Sequence, residues 1–425
     1  MAEAAPTAAI VAENGPATEA ITAPGREATS GRVRVLLVHN FYQLPGGEDQ
    51  CFEADRGMLE SRGHEVSTYT LRNDAIRSLG YVSSAARTIW NQAAHREVGA
   101  IVRSRRPHIV HFTNTFPLVS PAAYYAARAE GAAVVQTLHN FRLGCPSAIL
   151  FRDGAPCEDC LGRTFAWQGV AHGCYRGSRL GTAVVATMLA VHRLAGTWNS
   201  QVDAYIALTG FARGKYIRAG LDPELLHVSP NYLPADLRPG SGRGRYVLFA
   251  GRLTPEKGVA WLLDAWRRMG PDGRLVVVGD GPLNEMVRNA ADRDRSIEWL
   301  GWRPHGEVLD LVREAACLVL PSLWYEGFNR VILEAFAQGT PVVASDLGSM
   351  AAIVDRYRTG LLARPGDPED LAAKLGTILA DPAALSAMRT AAREEFESRY
   401  TEEACYGRLM RIYDAARRRY EMRTA

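Results

Sequence analysis

The stretch Cys317-Leu-Val-Leu-Pro-Ser-Leu-Trp-Tyr-Glu-Gly-Phe-Asn-Arg-Val-Ile-Leu-Glu-Ala-Phe-Ala-Gln338 decides the fold. Its first residues, Cys317 to Leu320, are the short apolar run of a buried strand. Leu323 to Gly327 reads as the loop that follows, and Phe328 to Gln338 as a helix that stops at Gly339. A strand feeding a helix through such a loop leaves unpaired N–H groups and a partial positive charge facing outward near Gly327, a ready site for phosphate. Glu326 precedes the helix and Glu334 lies within it. Eight residues at about 100° each leave them roughly 80° apart around the axis, so each can serve a different group. Taken alone, the pair also reads as ordinary solvated helix carboxylates.

The same strand–helix alternation runs through the chain. Strand-like runs occur at Val33–Val38, Val66–Leu71, His108–Phe112, Ala133–Leu138 and Ala204–Leu208, with helical patterns between them. After the Pro/Gly-rich stretch Pro234–Gly244 a second series follows at Tyr246–Ala250, Leu275–Gly279, Ile297–Leu300, Cys317–Leu320 and Pro341–Ser345. This predicts an α/β chain of two tandem Rossmann-like doubly wound domains facing an interdomain cleft, because open parallel sheets bind ligands beyond the carboxyl ends of their strands. The expected boundaries are a disordered extension over 1–31, a first domain over 32–235 with a Cys-rich insert at 142–176, and a second domain over 245–398. A last helix within 399–425 has no strand after it and is expected to pack back on the first domain.

Composition excludes some functions. The 425 residues suffice for two cores, and a net charge of +3, from 49 basic and 46 acidic residues, gives no general attraction for nucleic acid. The first 31 residues lack a basic start and a long apolar core, so they do not read as a signal peptide. Leu180–His192, the most apolar uncharged run with a helical pattern, is 13 residues, too short to span a bilayer. A cytoplasmic protein is expected, with peripheral contact to the inner face of the membrane as the alternative to a plain core helix at Gly177–Leu194, whose margins carry Arg176, Arg179 and Arg193. No G-x-G-x-x-G opens a helix after the first strand of either half, which disfavours a dinucleotide oxidoreductase.

Directly after the first strand of the second half comes Gly251-Arg-Leu-Thr-Pro-Glu-Lys-Gly258. Gly251 permits close backbone approach, and Arg252 and Lys257 supply a forked and a point-like cation for a diphosphate. In the first half, Pro45-Gly-Gly-Glu48 follows the first strand, so Gly46 and Gly47 can wrap backbone around a ligand, and His139 closes another strand toward the same cleft. Gly279-Asp-Gly-Pro282 reads as an ordinary turn. Cys145, Cys157, Cys160 and Cys174, spaced C-x11-C-x2-C-x13-C with His172 as a substitute, suit a structural zinc site, against the alternative of four unlinked thiols. Seven cysteines without an export signal argue against a disulfide framework.

On the Gly251–Gly258 clamp, the two carboxylates with seven residues between them, the Gly46-Gly47 loop and the histidine of Thr137-Leu-His-Asn140, the chain resembles the retaining glycosyltransferases of family 4, over residues 33 to 420. The resemblance implies the GT-B fold and transfer from a nucleotide-sugar donor to a sugar, lipid-linked or small-molecule acceptor. It gives Glu326 the transferred sugar, Glu334 the ribose, and Arg252 and Lys257 the departing diphosphate. It also implies that the backbone of Gly327, Phe328, Asn329, Arg330 and Val331 completes the phosphate and sugar contacts, and that His139 touches the donor sugar. The sequence departs from the family at Gly327-Phe-Asn329, where Pro-Phe-Gly is common. The expected mechanism is front-face substitution, with a diphosphate oxygen accepting the acceptor's proton and no catalytic metal. A sugar-nucleotide epimerase or hydrolase, or a non-catalytic nucleotide-sugar binder, are the alternatives on the same architecture.

Overall fold

A computed structural model describes residues 31–425, apart from 44–45, 235, 242–243 and 271–272 and the side chains of 77–78. The proposed extension therefore falls, but for its last residue, outside the described residues. Two six-stranded parallel sheets form the frame. The first contains β1 (Arg34–Phe41), β2 (Glu65–Arg72), β3 (Ile109–Asn114), β4 (Ala133–Leu138), β7 (Ala204–Ala207) and β8 (Leu226–Val228), in the order β2-β1-β3-β4-β7-β8. A two-stranded hairpin, β5 (Phe151–Arg152) with β6 (Ala155–Pro156), lies in the insert between β4 and β7. The second sheet contains β9 (Val247–Ala250), β10 (Leu275–Val278), β11 (Ile297–Gly301), β12 (Cys317–Leu320), β13 (Val342–Ser345) and β14 (Gly360–Ala363), in the order β11-β10-β9-β12-β13-β14.

The central strands are rich in Val, Ile, Leu and Ala because helices cover both faces of each sheet, whereas the edge strands β2 and β11 are mixed in polarity and only partly buried. Leu36, Val38, Val110 and Phe112 fill one face of the first sheet, and Val35, Leu37, Ile109 and Val135 the other. Leu248, Val276, Leu318 and Phe336 lie on one side of the second sheet, Val247, Phe249, Val277 and Trp266 on the other. The winding reverses between β1 and β3 in the first sheet and between β9 and β12 in the second. A crevice opens beyond the strand ends at such a reversal, and this fixes where ligands bind.

The edge strands β8 and β14 are not among the strand-like runs read from the sequence. The helix expected from Phe328 starts at Arg330 and runs to Ala337, with Asn329 as its N-cap. The loop before it is therefore longer, because Phe328 and Val331 turn their side chains into the second core. The chain crosses between the halves twice, and the crossings lie side by side, the N–H of Leu233 donating to Tyr400 O at 3.1 Å. After the second crossing, the helix Glu402–Thr424 buries Leu409, Ile412 and Tyr413 with Leu37, Val135 and Ile206 of the first sheet. The Tyr413 hydroxyl lies 2.8 Å from Nδ1 of buried His111. Among the described residues, no helix is long and apolar enough to cross a membrane.

Candidate functional site

The loops after β9 and β12, the two strands at the second reversal, are locked together by backbone. Gly258 has φ +72°, and a Cβ added there would lie 1.9 Å from Pro321 O, so only glycine fits. The N–H of Leu323 donates to Glu256 O at 2.8 Å. Beneath them, the Gly279-Asp-Gly281 turn is more than a turn. Gly279 has φ +134°, and added Cβ atoms at 279 and 281 would meet Gly251 O at 1.9 Å and Leu253 O at 2.4 Å. The glycines let the loop after β10 press against the 251–253 backbone.

This locking brings Lys257 Nζ to 2.7 Å from Glu326 Oε1, both groups largely shielded, and Ser322 Oγ donates to the same oxygen at 2.9 Å. Glu326 is thus a carboxylate held by a cation and a hydroxyl. Lys257 also lies over the Trp324 ring, 5.6 Å from its centroid. Arg252 does not join them: its side chain is 71% exposed and its nearest acid is Glu256, at 3.9 Å. It stands at the rim, where a ligand can recruit it.

Glu334 takes a separate partner. It is buried, and its Oε1 lies 3.0 Å from His305 Nε2. That hydrogen bond raises the His305 pKa above its ordinary value against the opposing effect of burial. His305, the first residue of the helix His305–Glu314 after β11, carries no sequence signal, since a lone histidine after Arg303-Pro304 resembles any surface residue. The two carboxylates have different partners, Lys257 for Glu326 and His305 for Glu334, and with the helix beginning only at Arg330 the 80° helical separation does not describe them.

The first half meets this site through two glycines. A Cβ on Gly327 would fall 2.3 Å from His139 O, so the loop after β12 rests directly on the backbone after β4. A Cβ on Gly47 would come within 3.6 Å of Arg330 Cδ, and Arg330 Nη1 donates to Cys51 Sγ at 3.5 Å. Arg330, at the helix start, therefore sends its side chain across to the helix Gly47–Ser61. Gly46 caps that helix, its N–H donating to Asp49 Oδ2 at 2.9 Å, while Asp49 Oδ1 holds His39 at 2.8 Å. The departure from the family pattern at Gly327 thus has a packing reason. His139 Nε2 is shielded from solvent and has no protein partner, and Arg330 Nε is in the same condition. Burial, followed by the nearby His39, His111 and Arg330, pushes the His139 pKa down to about 3, so the ring is a neutral hydrogen-bonding group.

Glu48 lies in the first turn of the helix Gly47–Ser61. Its Oε2 accepts from the Tyr42 hydroxyl at 2.7 Å and its Oε1 from Asn140 Nδ2 at 2.8 Å, beside His139. Burial raises its pKa, although these two hydrogen bonds and Arg142 pull it down. In the insert, Cys145 and Cys160 are buried, Cys157 and Cys174 half-buried, and all four are free thiols. Burial pushes Cys160 up to about 11, with Cys145, Cys174 and Cys157 adding like charge from nearby. Among the described residues, no three His, Cys, Asp or Glu side chains converge to hold a metal ion.

Residues 244–381 match the family model described as glycosyl transferases group 1. Glycogen synthase from Mycobacterium tuberculosis is 34% identical over 215 residues, 49% of this chain and 50% of the relative, so the match spans about half the length of that protein. The phosphatidyl-myo-inositol mannosyltransferase of Mycolicibacterium smegmatis is 26% identical over 90% of this chain and 93% of its own. Among solved structures, Anabaena HepE in complex with UDP superposes with a TM-score of 0.64 at 19% identity, over 89% of this chain and 99% of that one. Sucrose-phosphate synthase from Thermosynechococcus elongatus also gives 0.64, at 18% identity over 90% and 98%. The second half thus matches the group 1 glycosyl transferases, and the two sheets share the fold of HepE and sucrose-phosphate synthase.

Proposed function

We propose that the protein transfers a sugar from a nucleotide-sugar donor to an acceptor with retention of anomeric configuration. The observation that carries this is the shielded Lys257–Glu326 pair at the second reversal, with Gly327, next to Glu326, resting on the backbone of His139, whose Nε2 has no protein partner. The ribose takes Glu334 from His305. The diphosphate takes Lys257, Arg252 and the backbone N–H groups at the start of the helix Arg330–Ala337, which favour negative charge. The sugar lies between Glu326 and His139, where Gly47 and Gly327 leave room for backbone on either side.

In the reaction the bond from the anomeric carbon to the diphosphate oxygen breaks, and a bond to the acceptor oxygen forms on the same face. The acceptor's proton passes to a diphosphate oxygen. Lys257 and Arg252 are then placed where charge builds on the leaving group, so they lower the barrier more than they tighten ground-state binding.

UDP and UDP-glucose are named for complexes of HepE, which makes UDP-glucose the first donor to try. A lipid-linked acceptor has support in the mannosyltransferase relative and in exposed Tyr81, Val82, Leu180 and Leu194 on the neighbouring helices Tyr81–Ile89 and Arg179–Leu194, a face suited to peripheral membrane contact. For the insert we propose a structural zinc on Cys145, Cys157, Cys160 and Cys174, whose binding must draw the thiols together, since among the described residues no three such ligands converge; about one zinc per chain in purified protein supports this, and none removes it. The reading as a whole is tested by thermal shift against UDP-, GDP-, ADP- and TDP-sugars. A ligand at 100 times its Kd adds about 2.7 kcal/mol of stability, so one series should stand out; equal, null shifts for all four overturn the proposal.

A further inference from the structure

The first half carries a second polar constellation that the donor does not use. It is built from Glu48 after β1, Phe116 after β3, and Asn140 and Arg142 after β4, with Tyr175 from the insert. Glu48 is fixed by Tyr42 and Asn140, one hydrogen bond to each oxygen, and each oxygen keeps a lone pair free. Arg142, the first residue of the Cys-rich insert, lies within the electrostatic reach of Glu48, yet among the described residues no ion pair closes between them. Its guanidinium rests on the rings of Phe116 and Tyr175, 4.1 and 5.3 Å from their centroids, and donates to Pro146 O. Its Nε is shielded from solvent with no protein partner. Phe116 and Tyr175 meet edge to face at 5.7 Å. Phe116, His139, Asn140 and Arg142 line one cavity, which joins this constellation to the place assigned to the transferred sugar.

Resting on the donor reading above, we infer that Glu48, Asn140 and Arg142, with the Phe116–Tyr175 aromatic pair, form the acceptor subsite, and that the acceptor is a neutral polyhydroxylated ring, a sugar residue. A carboxylate held by two donors accepts hydroxyls and repels phosphate, and Asp49 stands behind it with the same sign. The orphaned Arg142 N–H offers one donor to a ring or hydroxyl oxygen, and an aromatic pair suits the C–H face of a pyranose. The insert gains a role: it supplies Arg142 and Tyr175 to the acceptor side while its thiols stay behind them. Burial raises the Glu48 pKa, in keeping with a carboxylate placed for a ligand rather than for solvent.

The test uses the full chain, the nucleotide sugar that stabilises it most, and three acceptor probes: methyl α-glucoside, methyl α-mannoside and glycerol 3-phosphate. Glu48→Gln and Tyr175→Ala should each raise the KM for the methyl glycoside about tenfold, the loss of roughly 1.4 kcal/mol of contact. Both should leave the thermal shift by the nucleotide and hydrolysis of the donor by water unchanged. Unaltered KM values in both variants, equal loss of the nucleotide shift, or preference for glycerol 3-phosphate overturn the subsite. A wild-type protein that binds and hydrolyses a nucleotide sugar while Glu48→Gln transfers normally overturns this inference alone; one that binds none overturns the donor reading, and this inference with it.

Discussion

Lys257 and Glu326 show how one residue's role depends on another's presence. With the lysine removed, Glu326 keeps only Ser322 as a partner in a shielded site, and an unpaired buried carboxylate costs on the order of 3 kcal/mol. Lys257→Ala should therefore lower the melting temperature, and Lys257→Ala with Glu326→Gln should recover most of it. Turnover should fall by about 10²-fold or more in Lys257→Ala with little change in nucleotide binding; near-normal turnover removes the leaving-group role. His305 acts in the opposite sense. Its pKa is raised by Glu334, so the pair adds stability below the ordinary histidine pKa and loses it as pH rises through the raised value. Because the ribose needs Glu334 free, nucleotide affinity should increase from pH 6 to pH 8 in the wild type. In His305→Gln, titration calorimetry should show no such rise; an identical slope in the variant places the proton elsewhere.

At the scale of elements, long apolar runs made β1, β4, β9 and β12 legible, because strands buried on both faces need uninterrupted Val, Ile and Leu. Clamp and carboxylate positions followed, since they stand at fixed places after those strands. What stayed hidden depended on contacts between distant segments. Gly327 is glycine because His139 O is its neighbour, and Gly279 and Gly281 because the 251–253 backbone lies on them. His305 and Glu48 gained meaning only from partners far along the chain, 29 and 92 residues away. The two kinds of glycine predict different failures. Gly258→Ala strains the inside of the second half, with φ +72° and Pro321 O in the way, and should cost about 1–3 kcal/mol in chemical denaturation. Gly327→Ala meets the other half, so domain opening relieves the clash; stability should change by less than about 1 kcal/mol while kcat falls. Equal destabilisation by both would mean that the contact at His139 is not between separable surfaces.

For the whole molecule, on the proposed reading, the donor belongs to the second half and the acceptor to the first, each at the reversal of its sheet. The second sheet supplies cations and the two carboxylates; the first supplies Gly47, His139 and the Glu48 cluster. The halves touch at several further points, among them Thr209 and Ser349 hydroxyls 3.0 Å apart and Phe211 against Tyr325. The two crossings between the halves lie side by side, bonded at Leu233 and Tyr400. On the proposed reading, front-face transfer puts the acceptor hydroxyl on the same face of the sugar as the leaving diphosphate, close enough to hand its proton to a diphosphate oxygen. The most direct measurement is proton NMR of the anomeric signal during transfer from an α-linked nucleotide sugar to a methyl glycoside. The account predicts a product whose first-formed anomer is α, appearing together with the free nucleoside diphosphate. A β product would contradict it, as would release of diphosphate with no glycoside formed.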